Sequence, residues 1–354
     1  LKVLVVGGGI AGLNCALRLL KVGCQVTVAE KQKGFIDKVC GEGVLPFGMA
    51  LLDELGLAER VRSNGHSFYG ISYFNGSQKV CGKFPEGSHG VGVDRVALDK
   101  LLREACSQYK GFNLMEGVHI KEKDTESFDR VLVADGIHSA WARSMGRKMQ
   151  TGKRLGIRFR IATPPPQEVQ VHFFPHCEVY FTPTGPNTLS VAFLIDAPKF
   201  NVKGSGWKTW LREFFAQHFP QLAEAPMRDM STRAPIVSKP LGNPPNIHLL
   251  GDALQAFDPI CGAGMSFALL CGKLAAQHIH DPAAYYKALE PAMKSVGGFT
   301  NTILFFRGGG FKTWLMMRQL GKSPNTFNRI LSLHDGKHRF TDLGLSGMLS
   351  FLRP

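Results

Sequence analysis

Apolar residues run unbroken from Val3 to Val6 and stop at three consecutive glycines, Gly7 to Gly9. A short apolar run closed by glycine is the pattern of a strand buried on both faces of a parallel sheet. The spacing then becomes helical. Leu13, Ala16, Leu17 and Leu20 share one face of a segment from Ala11 to Lys21, and Gly23 is placed to cap its end. Gln25 to Ala29 returns to a strand pattern and ends at Glu30. A helix is expected from Phe47 to Leu55, with Gly56 near its end. Residues 68–84 alternate around Asn75-Gly76, a hairpin signal. Val91 to Val93 leads through Asp94, a suitable N-cap, into a helix with Leu98, Leu101 and Leu102 on one side. Before the apolar strand Val131 to Ala134, Val118 to Ile120 is the strand-like segment.

Near residue 155 the pattern changes. Gly156 to Ala162, Val169 to Phe174, Val179 to Phe181 and Thr188 to Ile195 are β-type runs, the last two separated by the Pro183-Thr184-Gly185-Pro186 turn. Such closely spaced strands predict an antiparallel sheet inserted into the first domain. A helix from Trp207 to His218 follows. Ile247 to Leu250 brings the chain back, and a long helix is expected from Ala263 to His278. Beyond Asp281 the chain reads as helical. The division this predicts is 1–66, 88–154 and 235–290 for a discontinuous nucleotide-binding domain, 67–87 and 155–234 for a substrate domain, and 291–354 for a helical tail.

The opening segment carries chemistry. Gly7-x-Gly9-x-x-Gly12 fits the dinucleotide fingerprint: Gly7 for a tight turn, Gly9 for close approach of the backbone to a pyrophosphate, and Gly12 for close helix packing. The helix N-terminus offers free N–H groups and a positive dipole end to the phosphates. Glu30 stands where a carboxylate takes the ribose hydroxyls of an adenosine. These glycines do not choose between nicotinamide and flavin dinucleotides.

With 354 residues, 44% of them hydrophobic and 20% charged, the chain has the composition of a soluble globular protein. No secretory signal is expected, and the longest apolar stretch, Ile260 to Leu270, is too short to span a bilayer. Eight scattered cysteines without metal-type spacing read as reduced thiols, which implies a cytoplasmic protein. His172 and His176 lack a carboxylate cluster, so no metal site is expected. The net charge of +14 favours acidic partners, but no nucleic-acid motif accompanies it.

Two later segments complete a pattern: Ala134-Asp135-Gly136-x-x-Ser139 with Arg143, and Gly251-Asp252-Ala253 continuing to Pro259-x-x-Gly262-x-Gly264. With the glycine fingerprint and the Arg95-x-x-Leu98-Asp99-x-x-Leu102 helix, they make residues 2–276 resemble the FAD-dependent p-hydroxybenzoate hydroxylase superfamily. That superfamily includes aromatic monooxygenases, flavin halogenases and geranylgeranyl reductases. Lys38-Val39-Cys40-Gly41-Glu42-Gly43 and Asp258-Pro259 lean toward the geranylgeranyl-reductase-like branch. Leu254 stands where hydroxylases usually have histidine. The Trp-x-Trp-x-Ile-Pro segment of halogenases and the Tyr-x-Trp-x-Phe-Pro segment of reductases are both absent, and Val179-Tyr180-Phe181-Thr182-Pro183 occupies the latter's place.

The resemblance implies an α/β chain, α+β overall: a glutathione-reductase-type FAD-binding Rossmann domain, an inserted antiparallel substrate sheet and a helical C-terminal tail. It implies non-covalent FAD held by Gly7, Gly9, Ala11, Gly12, Glu30, Lys31, Arg95, Asp135, Gly136, Gly251, Asp252, Pro259, Gly262, Gly264 and Met265. Asp252 would take the ribityl hydroxyls, and the Pro259 to Gly264 loop would sit against the isoalloxazine. NAD(P)H would serve as a transient reductant, since only one glycine fingerprint is present. The chemistry is the flavin's, so no catalytic side chain is required. Cys40 is a candidate redox-active thiol, with a small buried thiol as the other reading. Tyr180, Phe181 and Phe193 are candidate walls of a pocket for a small lipophilic substrate, or simply core. The activity expected is monooxygenation, with double-bond reduction or electron transfer to a membrane partner as alternatives. The aromatic and basic segment Phe305 to Arg318 suggests peripheral membrane contact, against a helix packed on the nucleotide domain.

Overall fold

Strand Lys2–Val6, which holds the apolar run, is the centre of a five-stranded parallel sheet in the order His248–Leu249, Arg130–Val133, Lys2–Val6, Gln25–Glu30, Phe112–Glu116. The structure is a computed structural model that describes the chain apart from residues 36, 152–153, 197–205, 234–235, 239–245, 323 and 333–354. Helices Ile10–Lys21, Arg95–Ser107 and Gly264–Gln277 contribute their apolar faces to one core with this sheet. Asp94 caps the second of these helices, accepting from the Val96 and Ala97 N–H groups at 2.7 and 3.3 Å. The fifth strand is Phe112–Glu116 rather than the expected Val118 to Ile120. It lies at the sheet edge, so its side chains alternate only between half-buried and exposed and leave a faint hydrophobic pattern. Val118 merely continues alongside, donating to the Glu30 carbonyl at 3.0 Å.

The inserted sheet has seven strands, in the order Arg228–Arg233, Arg154–Ile161, Thr188–Asp196, Cys177–Gly185, Val169–Phe174, Gly70–Asn75, Gln78–Lys83. Its pairings are antiparallel except that of Val169–Phe174 with Gly70–Asn75. The Asn75-Gly76 hairpin thus extends the second sheet, with Gly76 at φ 58° in the turn. Gly43–Val44, Gly90–Val93 and Gly65–Phe68 form a small antiparallel sheet whose strands flank the Gly70–Lys83 hairpin in sequence.

Strand periodicity gives the seven-stranded sheet two unlike faces. Ile157, Phe159, Val179, Phe181, Val191 and Phe193 pack beneath helix Gly206–His218 through Leu211 and Phe215. The alternate positions are polar yet buried: Arg154, Arg158, Glu178, Thr182 and Ser190. Several of them pair with residues of the nucleotide-binding part of the chain. Helices Phe311–Lys322 and Pro324–Ser332 cover the hairpin, with Met316, Met317, Leu320, Phe327 and Leu331 in one cluster with Ile71 and Tyr73. These two helices therefore pack on the inserted sheet, because the apolar face of the hairpin needs a cover, while Phe299, Ile303 and Phe306 before them pack against Ile260, Cys261 and Ala263. No helix among the described residues is long and apolar enough to cross a membrane.

Candidate functional site

The glycine turn does what its spacing requires. Gly7 has φ 108°, and a Cβ there would fall 2.3 Å from the Ala134 carbonyl oxygen. At Gly12 a Cβ would lie 2.0 Å from the Gly7 oxygen, so the helix can start this close only without a side chain. Gly9 differs: a Cβ there meets nothing within 4 Å. The space in front of it is open, and the N-terminus of Ile10–Lys21 points into it.

Around that turn the expected cofactor residues converge. Glu30 is buried, and its two carboxylate oxygens accept from the Gly8 and Gln32 N–H groups at 2.8 and 2.9 Å, which fixes its orientation. Asp135 is half-buried with its Oδ1 unpartnered among the described residues. Burial raises its pKa, against hydrogen bonding by Ser139 and the charges of Arg147 and Lys31. Lys31 is exposed beside it. Gly136, at φ 79°, faces open space. Gly251 carries φ 58° and packs on Ala11, 3.1 Å from where a Cβ would sit. The Asp252 carboxylate forms an ion pair with Lys38.

Asp258 caps the loop that follows, accepting from the Ile260 N–H at 3.0 Å. Along it Ile260, Cys261, Ala263 and Met265 point inward, while Pro259, Gly262 and Gly264 form an exposed lip. Neither Gly262 nor Gly264 has any atom within 4 Å of a built Cβ. Arg95 is buried, and its Nε has no hydrogen-bond partner among the described residues. Cys40 lies near it. Burial pushes the Cys40 thiol up more than the Arg95 charge pulls it down, so it is a neutral thiol rather than an activated one.

These features suit FAD. Open glycine cradles, a helix N-terminus, an oriented carboxylate for the ribose, and two buried polar atoms awaiting partners are what its phosphates and hydroxyls require.

Several residues at this site escaped the sequence reading. Arg143 is exposed, and the buried arginine after Ser139 is Arg147. It donates to the carbonyls of Ile137, Asp252 and Ala253, clasping the second and third cofactor segments together. Glu42 is fully buried at φ 56°, an unusual backbone for a residue with a side chain. It accepts from Arg158 at 3.1 Å and also pairs with Arg160. Arg158 reaches Asp37 at 2.8 Å, and Arg160 reaches Asp94 at 2.8 Å. A second network centres on Arg154, which binds Asp258 at 2.7 Å and pairs with Glu178. Arg307 in turn contacts Glu178 at 3.1 Å and Asp196 at 2.9 Å. The period-two spacing of Arg154, Arg158 and Arg160 was the available signal, since it puts all three on one strand face.

The three aromatic candidates separate. Tyr180 faces the cofactor loop, its hydroxyl donating to the Ile260 carbonyl at 3.4 Å. Phe181 and Phe193 do not: they lie on the opposite face of the sheet, in the core under helix Gly206–His218. Residues 180 and 181 are neighbours in a strand and must point to opposite sides.

Comparison with known proteins agrees with this geometry. The FAD binding domain family matches residues 1–132. A menaquinone reductase of Mycolicibacterium smegmatis is 25% identical over 313 residues, covering 78% of this chain and 75% of that protein. Squalene monooxygenase of Mus musculus is 24% identical over 333 residues, covering 81% of this chain but 57% of the mouse protein. The structure of Klebsiella pneumoniae HpxO complexed with FAD and uric acid superposes with a TM-score of 0.76 at 17% identity, covering 94% of this chain and 96% of that one. Residues 1–132 thus match an FAD binding domain, the chain shares the fold of FAD-dependent oxygenases, and it is an FAD-dependent oxidoreductase.

Proposed function

We propose that the chain is an NAD(P)H-dependent monooxygenase of a lipophilic organic substrate, aromatic or polyketide-like in character. The observation that carries this reading is the apolar packing behind the cofactor loop. Ile260, Cys261 and Ala263 join a cluster with Leu45, Phe68, Tyr73, Val171 and Phe173. Substrate reaching the lip of Pro259, Gly262 and Gly264 would meet surroundings that favour apolar groups and exclude water. Squalene monooxygenase and menaquinone reductase, both named for lipophilic compounds, support the same substrate class.

When bound, FAD would supply the redox chemistry by which two electrons from the reduced nicotinamide go to oxygen, one oxygen atom entering the substrate and the other leaving as water. Asp252 would hold the ribityl hydroxyls, Glu30 the adenosine ribose, and the N-terminus of Ile10–Lys21 the phosphates. Arg95 would place a buried positive charge beside the cofactor. Tyr180 would fix the loop through Ile260. Gly262 and Gly264 would let the backbone approach the ring.

A second reading, reduction of an isoprenoid double bond or electron transfer to a membrane partner, is favoured by the likeness to menaquinone reductase over most of the chain and by Cys40-Gly41-Glu42-Gly43. Oxygen uptake separates the two. The protein is mixed with NADH or NADPH and a panel of lipophilic aromatic and isoprenoid compounds. Substrate-stimulated oxygen uptake with one oxygen atom incorporated into product supports monooxygenation. Nicotinamide oxidation that continues without oxygen and yields a reduced product supports the second reading and overturns the first.

A further inference from the structure

Three of the large hydrophobic side chains that the described structure leaves exposed cluster at one corner: Phe305, Phe311 and Trp314, at 56%, 74% and 39% exposure. They form a single patch. Phe311 stacks on Trp314 with ring centroids 5.6 Å apart. The Lys312 Nζ lies 4.1 Å from the Phe305 ring centroid, and the Arg318 guanidinium 5.4 Å from that of Trp314.

Helix Phe311–Lys322 explains the arrangement, because it has two faces. Thr313, Met316, Met317 and Leu320 are buried on the hairpin. Phe311, Trp314, Arg318 and Lys322 occupy the other side, exposed. The buried stripe already anchors the helix, so fold stability does not require the aromatics outside.

Nor is the corner a frayed end. Arg307, directly after Phe305-Phe306, is held by Glu178 and Asp196 at 3.1 and 2.9 Å. Gly309, at φ 66°, runs so close to the inserted sheet that a Cβ would come within 2.9 Å of the Phe174 backbone carbon. The glycine turn thus fixes Phe311 and Lys312 beside Phe305.

Charge identifies the occupant. From Pro291 to His334 the sequence has no Asp or Glu and six Lys or Arg. Lys312, Arg318 and Lys322 are all exposed within this helix. Exposed aromatics among unopposed cations are what an anionic bilayer surface takes: rings enter the acyl boundary while cations meet headgroup phosphates.

We propose that Phe305, Phe311 and Trp314, with Lys312, Arg318 and Lys322, form a docking surface for an anionic lipid membrane. The surface goes beyond the oxygenation reading and is measured without turnover, so either can fail alone.

The test is co-sedimentation of the FAD-loaded protein with phosphatidylcholine vesicles and with phosphatidylcholine–phosphatidylglycerol vesicles at low and high salt. Two double variants accompany it, Phe311→Ser with Trp314→Ser, and Lys312→Gln with Arg318→Gln. Flavin content and thermal unfolding verify that both remain folded. The expected result is binding to the anionic vesicles that weakens with salt. Each neutralised cation should lower the partition coefficient about fivefold, and the aromatic pair should lower it further. Three results overturn the proposal: no binding of the wild type at low salt, binding that neither folded variant diminishes, or self-association in ultracentrifugation that the aromatic variant abolishes, which would make the patch a contact between copies.

Discussion

Gly9 and Gly12 stand three residues apart in the same turn, yet alanine at the two positions should do opposite things. At Gly12 the new Cβ would lie 2.0 Å from the Gly7 carbonyl oxygen and 3.1 Å from Val5 Cγ1. The first obstacle is backbone, and Gly7 itself runs so close to Ala134 that a Cβ there would fall 2.3 Å from its carbonyl oxygen, so neither can yield cheaply. The upper end of the overpacking range, about 3 kcal/mol, is expected. For a chain of 354 residues unfolding as a unit, that corresponds to a fall in Tm of roughly 4 °C. At Gly9, with φ −78°, alanine is sterically allowed and meets nothing within 4 Å. Alanine is a poorer N-cap than glycine but loses less chain entropy on folding, and the two effects offset to within about 1 kcal/mol. The methyl group would instead occupy the space where the pyrophosphate must approach, weakening FAD about 10- to 100-fold. The assay pairs thermal unfolding of flavin-stripped protein with FAD titration followed by flavin fluorescence. Gly9→Ala binding FAD like the wild type, or unfolding as early as Gly12→Ala, would refute the assignment of the open space to the phosphates.

If Asp252 takes the sugar hydroxyls as proposed, Asp252→Ala should weaken FAD about 10- to 100-fold while stability stays within about 1 kcal/mol, because its pair with Lys38 is partly exposed; dialysis followed by flavin quantitation reads it. Arg154→Met would leave the buried Asp258 without its counter-charge and Glu178 with Arg307 alone, costing about 3–5 kcal/mol in urea unfolding. His172 lies among Phe74, Phe181 and Phe219, and burial lowers its pKa to about 4. The unfolded chain therefore takes up a proton that the folded one refuses, so stability is full above pH ~6.5 and declines as pH falls toward 4. His172→Phe should flatten that decline, seen as a smaller change in Tm between pH 7 and pH 5. Cys40→Ser should leave NAD(P)H-driven flavin reduction unchanged, as expected of a neutral thiol; loss of reduction in stopped-flow absorbance would restore the redox role.

The nucleotide-binding half was legible because its signals are local. A buried strand, a glycine turn and an amphipathic helix each follow from consecutive residues, and Lys2–Val6, Ile10–Lys21 and Gln25–Glu30 stand where the pattern put them. The inserted sheet was legible as strands but not as faces. Alternation shows that Phe181 and Tyr180 point apart, but it cannot say which side meets the cofactor domain. Pattern reading places arginines toward water. Here Arg154 and Arg158 are buried because Asp258, Glu42 and Asp37, distant in sequence, supply their counter-charges. Arg147 was hidden for a similar reason: its partners are backbone carbonyls, which leave no trace in side-chain identity.

We propose that FAD lies between the glycine turn and the polar face of the inserted sheet. A crystal structure of the FAD complex tests it most directly. The expected complex has the adenosine ribose on Glu30, the phosphates against Gly9 and the N-terminus of Ile10–Lys21, the ribityl chain at Asp252, and the ring at Gly262 and Gly264 on the Tyr180 side of the sheet. A flavin ring on the Phe181 and Phe193 side, or phosphates away from Gly9, would contradict it.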